Sequence, residues 1–134
     1  MEVKISQIAG VRLEIQARSH TITCDQPTDN GGEDSGMTPP ELLLASLGSC
    51  AAFYAAQYLS TRNLTQSGVE VAVTAGKLLQ PARLGNFRVS VKSPVPLTPE
   101  QTEGMMRSVH HCLVHNTLMS PPEIKIEIAS GDSR

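Results

Sequence analysis

Residues 38–62, TPPELLLASLGSCAAFYAAQYLSTR, decide how the rest of the chain is read. From Leu42 to Thr61 the stretch holds no charged residue, only Leu, Ala, Ser, Gly, Thr, Gln and aromatics around Cys50. Thr38 suits an N-cap, Pro39 suits the first helical position, and Glu41 falls three after the cap, the spacing of a capping box. Asn63 supplies a left-handed cap at the other end. The stretch predicts one helix of about six to seven turns. Its apolar residues (Leu42, Leu43, Leu44, Leu47, Phe53, Tyr54, Leu59) point in most directions, and such a helix is either buried on all sides or lies in a membrane. Length alone allows a span. However, Ser46, Ser49, Gln57, Ser60 and two tyrosines dilute the hydrophobicity, and no basic flank sets an orientation. The expectation is a central helix wrapped by the rest of the chain and by a second copy of it.

At 134 residues the chain makes one domain, 1–134, with an ordinary core. A net charge of -2 and 3% aromatic residues argue against nucleic acid, which calls for a basic footprint and stacking rings. The N-terminal MEVKISQIAG lacks the basic region and apolar core of a signal peptide, so a cytoplasmic location is expected. Three cysteines in a reducing compartment are core thiols, ligands or catalysts rather than a disulfide framework.

In chain order, alternation predicts strands over 2–8 and 11–17 with an Ala9-Gly10 turn, and a third over 20–24. Residues 25–36, DQPTDNGGEDSG, read as a flexible acidic loop leading into the helix. Its glycines lack the cations of a phosphate cradle, and its acids lack the spacing of a calcium loop. Strands follow over 68–79 and 87–92, joined by a hairpin loop over 81–86. Thr98, Pro99 and Gln101 then open a second helix with another capping box. Along it Met105, Val109, Cys112, Leu113 and Asn116 fall at helical spacing. Ser120-Pro121-Pro122 stops it, Ile124, Ile126 and Ile128 form a last strand, and 130–134 is a loose tail. The class is α+β: antiparallel sheet elements around a long central helix, with a second helix.

Cys50 and Cys112 thus sit on two different helices, both near apolar surface. Free cysteine often packs as a small hydrophobe, and a thiol in a purely apolar setting is inert; a nucleophilic thiol needs a cation or polar donors. Cys24 shares a face with Ile22 and reads as core. His110-His111-Cys112-x-x-His115 has helix-face spacing for metal ligands, with His20 and Cys24 as the remaining candidates, but a zinc site usually wants four ligands and there is no CxxC pair. No metal is expected. His110 and His111 read as solvent-facing, and His115 as a favourable group at the helix end.

The run GGEDSGMTPPELLLASLGSCAAFYAAQYLSTRNL, with HHCLVHNTLMSPPEIKIEI placing a second Cys downstream, resembles the OsmC/Ohr family of thiol-dependent hydroperoxide reductases, in particular its OsmC-like subgroup. The resemblance extends over essentially the whole chain. It implies an intertwined homodimer with mutually buried central helices, and a peroxidase that uses no cofactor. Cys50 matches the peroxidatic thiol, which attacks the peroxide and is left as a sulfenic acid. Cys112 matches the resolving thiol, and an external dithiol, lipoyl-type or small, reduces the resulting disulfide. Glu41 matches the family's Glu, and Arg12, with Arg18 as competitor, matches the Arg that activates the first thiol. Nine residues of regular helix separate Glu41 from Cys50 by about 13 Å and put it on the opposite face. Glu41 therefore acts by bridging an Arg, acts across the dimer, or only completes the cap. The alternative to a peroxidase is a redox sensor or small-ligand-binding dimer that uses the same thiols without turnover.

Overall fold

The computed structural model describes residues 1–131. Two antiparallel sheets and three α-helices follow one another along the chain. Strands β1 (Lys4–Ala9), β2 (Arg12–Ala17) and β3 (His20–Cys24) form a meander in the order β1-β2-β3. Gly10 takes the positive φ of the first turn, as the Ala-Gly pair predicts, and Arg18 takes it in the second. Leu13, Ile15 and Ala17 are half-buried while Glu14 and Gln16 are exposed, so the predicted alternation is present.

The long helix α1 (Pro39–Thr61) begins with the expected capping box. Thr38 Oγ1 accepts from the Glu41 N–H at 3.4 Å, and Glu41 Oε1 accepts from the Thr38 N–H at 3.0 Å. It ends in a Schellman motif. Asn63 is left-handed at φ 55°, its N–H bonds to the Ser60 carbonyl, and the Leu64 N–H reaches back to Leu59. The helix has the length and apolarity of a membrane span. One side of it packs against α2 (Pro99–Val109), α3 (Leu113–Met119) and the hairpin of β4 (Glu70–Leu78) and β5 (Arg83–Lys92). The core lies there, built on Ala55, Tyr58, Leu59 and Met105, with Val69, Val91, Leu97 and Val109 against it. Close approach depends on two glycines. A Cβ at Gly48 would stand 2.8 Å from Val73 Cγ2, and one at Gly104 would stand 2.5 Å from Tyr58 Oη. Leu59 is fully buried. Leu59→Ala therefore costs about 2–5 kcal/mol, from lost transfer free energy and the cavity left behind, read as a lower denaturation midpoint with unchanged slope.

The opposite side of α1 is bare. Ser46, Ser49, Phe53 and Ala56 recur at spacings of three or four and are all exposed, Phe53 at 61%. The first sheet makes no comparable packing contact with α1. A helix apolar all round is thus covered on one side only by its own chain.

Four expectations are corrected. The second helix is two helices, broken at His110–Cys112. There His111 and Cys112 make short-range bonds to Ser108 and Val109, and Cys112 leaves helical geometry at φ -57°, ψ 122°. The β4–β5 loop is shorter than predicted, because β5 runs back to Arg83 through a register shift opposite Thr74–Gly76, with Asn86 taking a positive φ inside the strand. The last strand does not form. Ile124, Ile126 and Ile128 are 78%, 85% and 94% exposed, since alternation confers a face but a strand still needs a neighbour to bond. The loop 25–36 is organised rather than merely solvated. Asp25 is buried and accepts bonds from the backbone N–H groups of Gln26, Glu33 and Ser35 and from Ser35 Oγ. Of the predicted tail, 132–134 lies outside the described residues.

Those bonds, the Ser35 hydroxyl first, hold the Asp25 carboxyl at about 2, below its ordinary 3.8. A depressed carboxyl stabilises the fold above its unfolded pKa and loses that contribution as pH falls through the folded value. Native stability should therefore drop between about pH 4 and pH 2. In Asp25→Asn the drop across this window should be shallower, as measured by denaturant titration at each pH.

Candidate active site

Cys50 projects from the middle of α1, half-buried, beside the exposed Ser49 and Phe53. Cys112 is 1% exposed and sits at the N-cap of α3, where its Sγ accepts from the His115 N–H at 3.4 Å. The break between α2 and α3 matters for chemistry because it frees the first N–H groups of α3. Those of Leu113 and Val114, with the Cys112 thiol, are the polar groups that act on Cys50. Sequence spacing alone, on one continuous helix, would leave those N–H groups tied into the i−4 ladder.

Burial pushes the Cys50 thiol up, but the Cys112 thiol and the Val114 and Leu113 N–H groups outweigh it and bring the pKa below the ordinary thiol value. Cys112 moves the other way, raised first by burial and then by its bond to Cys50. The two thiols are therefore shifted in opposite directions, Cys50 toward the thiolate and Cys112 toward the thiol. The thiolate, not the thiol, is the nucleophile, so of the two Cys50 is the better suited to that role. All three cysteines are free.

The activating donors are backbone groups, which carry no side-chain signature in a sequence. Arg12 makes an ion pair with Glu33 at 3.5 Å, and Arg18 lies in the β2–β3 turn. Glu41 stays in its capping box, its carboxyl lowered by the Thr38 backbone and hydroxyl. Within one copy of the chain, none of these three is among the groups that shift Cys50. Cys24 is 2% exposed at the end of β3, opposite Leu13. His110 and His111 are exposed, as expected. His115 lies in the first turn of α3 rather than at a helix C-terminus, which corrects its assignment as an end group. Among the described residues no cluster of three or more His, Cys, Asp or Glu could hold a metal ion.

A cavity of about 680 Å³ opens beside Cys112 between α1, β5, α2 and α3. Leu47, Phe87, Val89, Met105 and Leu118 line it, with Cys112 in its wall. An apolar chamber of this size can hold a small organic molecule.

A model of the family described as OsmC-like protein matches residues 32–127, which include both cysteines and Glu41. No curated protein sequence matches the chain. Among solved structures, a protein from Psychrobacter arcticus 273-4, described as a putative osmotic stress induced and detoxification response protein, superposes with a TM-score of 0.78 at 20% identity, covering 86% of this chain and 85% of that one. The OsmC-like protein of Mycoplasma pneumoniae gives 0.70 at 20% identity, covering 90% and 87%. An organic hydroperoxide resistance protein of Legionella pneumophila gives 0.57 at 15%, covering 87% of each. With the family model spanning well over half of its length, this chain belongs to the OsmC family.

Proposed function

We propose that the protein is a thiol peroxidase in which Cys50 reduces a hydroperoxide and Cys112 resolves the product. One observation carries this reading: the helix break at Cys112 places that free thiol and the first N–H groups of α3 beside the free thiol of Cys50. The Cys50 thiolate attacks the terminal oxygen of ROOH, the O–O bond breaks, and the alkoxide leaves as ROH after taking a proton. Cys112 then condenses with the sulfenic acid to give a disulfide and water. A dithiol of lipoyl or small-molecule type returns both thiols by exchange. The apolar cavity beside Cys112 favours organic hydroperoxides, with hydrogen peroxide as the smaller alternative. The description of the Legionella relative, at 15% identity, points the same way.

The working unit in this reading is a homodimer in the cytoplasm that binds neither nucleic acid nor membrane. Three surfaces support a second copy as the partner: the bare face of α1, the exposed first sheet, and the unpaired isoleucines at 124–128. Cys50 borders that bare face, so a second copy would bring its own charged groups toward the thiolate. Arg12, freed from Glu33, and Glu41 would act there rather than within one chain.

The deciding assay follows consumption of cumene hydroperoxide and of hydrogen peroxide with dihydrolipoamide as reductant. Steady turnover with a Cys50–Cys112 disulfide trapped in mass spectra is the expected result. A disulfide without turnover would replace the peroxidase with a redox sensor, and no disulfide would remove the redox reading.

A further inference from the structure

The cavity beside Cys112 has one polar corner. His110 and His115 line it with Cys112, their rings 5.5 Å apart and 18° from parallel. These three are the titratable side chains among the residues lining the cavity, whose other polar group is Thr102. His110 stands two residues before Cys112. His115 is the third residue of the helix that Cys112 caps, and its backbone N–H already rests on Cys112 Sγ. A Glu or Gln side chain at this third position reaches back to the backbone N–H of the cap residue. Glu41 does so to Thr38 and Gln101 to Thr98 in this same chain. His115 Nδ1 lies 3.4 Å from Asn116 Oδ1. The tautomer that donates from Nδ1 to this oxygen leaves Nε2 with its lone pair free.

Cys112 needs such a group. It is buried and holds its proton, yet it must attack as a thiolate. We propose that His115, held in place by the stacked ring of His110, takes the proton from Cys112 as that thiol closes onto oxidised Cys50. This rests on the peroxidase reading. The Cys112 S–H proton passes to His115 Nε2, and Cys112 Sγ forms a bond to Cys50 Sγ. The S–O bond of the sulfenic acid breaks, and hydroxide leaves with the imidazolium proton as water. Cys112 is oxidised, the Cys50 sulfenic acid is reduced to the disulfide level, and imidazole returns neutral. From α1 the lining is apolar (Leu43, Leu47, Ala51), and Cys50 neighbours Cys112 from outside it. From β5 the lining is apolar (Leu84, Phe87, Val89, Val91). Along the chain the nearest charged or titratable groups are Arg107 and His111, both exposed.

The test separates the two steps. Reduced protein receives one equivalent of cumene hydroperoxide. Dimedone capture follows sulfenic acid on Cys50, and alkylation with intact-mass measurement follows disulfide closure. In His115→Gln, and in His110→Gln/His115→Gln, the backbone N–H on Cys112 is kept and the base is lost. Closure near pH 7 should slow on the order of 100-fold, a much larger loss than any in Cys50 oxidation. Closure in the variants should depend more steeply on pH than closure in wild type, because the base is lost. Added imidazole should restore part of the loss. Closure at the wild-type rate with the same pH profile overturns the proposal. So does an equal loss of both steps, which would mark His115 as a support for α3 only. If the wild-type protein itself forms no sulfenic acid, the peroxidase reading fails first, and that outcome is distinct because no closure step exists to compare.

Discussion

Cys50→Ser removes peroxide consumption, by on the order of a thousandfold or more, because it deletes the one sulfur that is both reachable and activated. Cys112→Ser behaves differently. A serine hydroxyl still caps α3 and still donates to Cys50, so the first oxidation survives. Without a resolving thiol the protein consumes about one equivalent of peroxide and then depends on direct attack by the external thiol. Cys112→Ala goes further, since it takes away the thiol donor that helps to hold Cys50 below its ordinary pKa. In that variant the Cys50 alkylation profile should shift to higher pH, leaving the Leu113 and Val114 N–H groups as remaining support. Stopped-flow peroxide loss, burst size and iodoacetamide rates across pH separate the three variants. Multiple turnover in Cys50→Ser would transfer the chemistry to another group, and an unshifted profile in Cys112→Ala would mean that the backbone alone activates the thiol.

Much of this arrangement is written in local chemistry that a sequence displays. The capping boxes at Thr38 and Thr98, the left-handed Asn63 and the Gly10 turn are short-range features, and each is found where its residues place it. The two thiols can be picked out because cysteine is rare and their helices are apolar. Their meeting was legible only through family resemblance. What activates them was not, because the donors are main-chain N–H groups released by a helix break that the apolar spacing of Val109, Cys112, Leu113 and Asn116 conceals. A pattern of apolar residues reports which face is buried and is silent about one residue leaving helical geometry between two turns. Cysteine is also an uncommon cap, so the usual end signals of Ser, Thr, Asp or Asn are missing at 112. The last strand fails for the opposite reason. Ile124, Ile126 and Ile128 carry a clear period of two, but pairing is a property of the neighbour, and no neighbour comes from within the described residues.

The same logic makes Phe53→Asp a decisive substitution. In one copy of the chain Phe53 is 61% exposed on the bare face of α1, three residues beyond Cys50. A surface aspartate in a helix interior costs a few tenths of a kcal/mol in propensity, so the fold of a monomer would scarcely change. If the bare faces of two α1 helices meet, the same change deletes a large aromatic contact and buries a carboxylate without a partner. The loss is then about 3 kcal/mol or more, a rise of over 100-fold in the dimer dissociation constant. Light scattering on the purified variant should report a monomer at concentrations where wild type is a dimer. Peroxide turnover should fall with the proposed dimer, because Cys50 borders the face that a second copy would cover. The coupling is what matters. A dimer that persists with full activity would move the interface away from α1. A monomer that keeps full activity would show that the first turn of α3 suffices to activate Cys50 and that Arg12 and Glu41 of a second copy are dispensable.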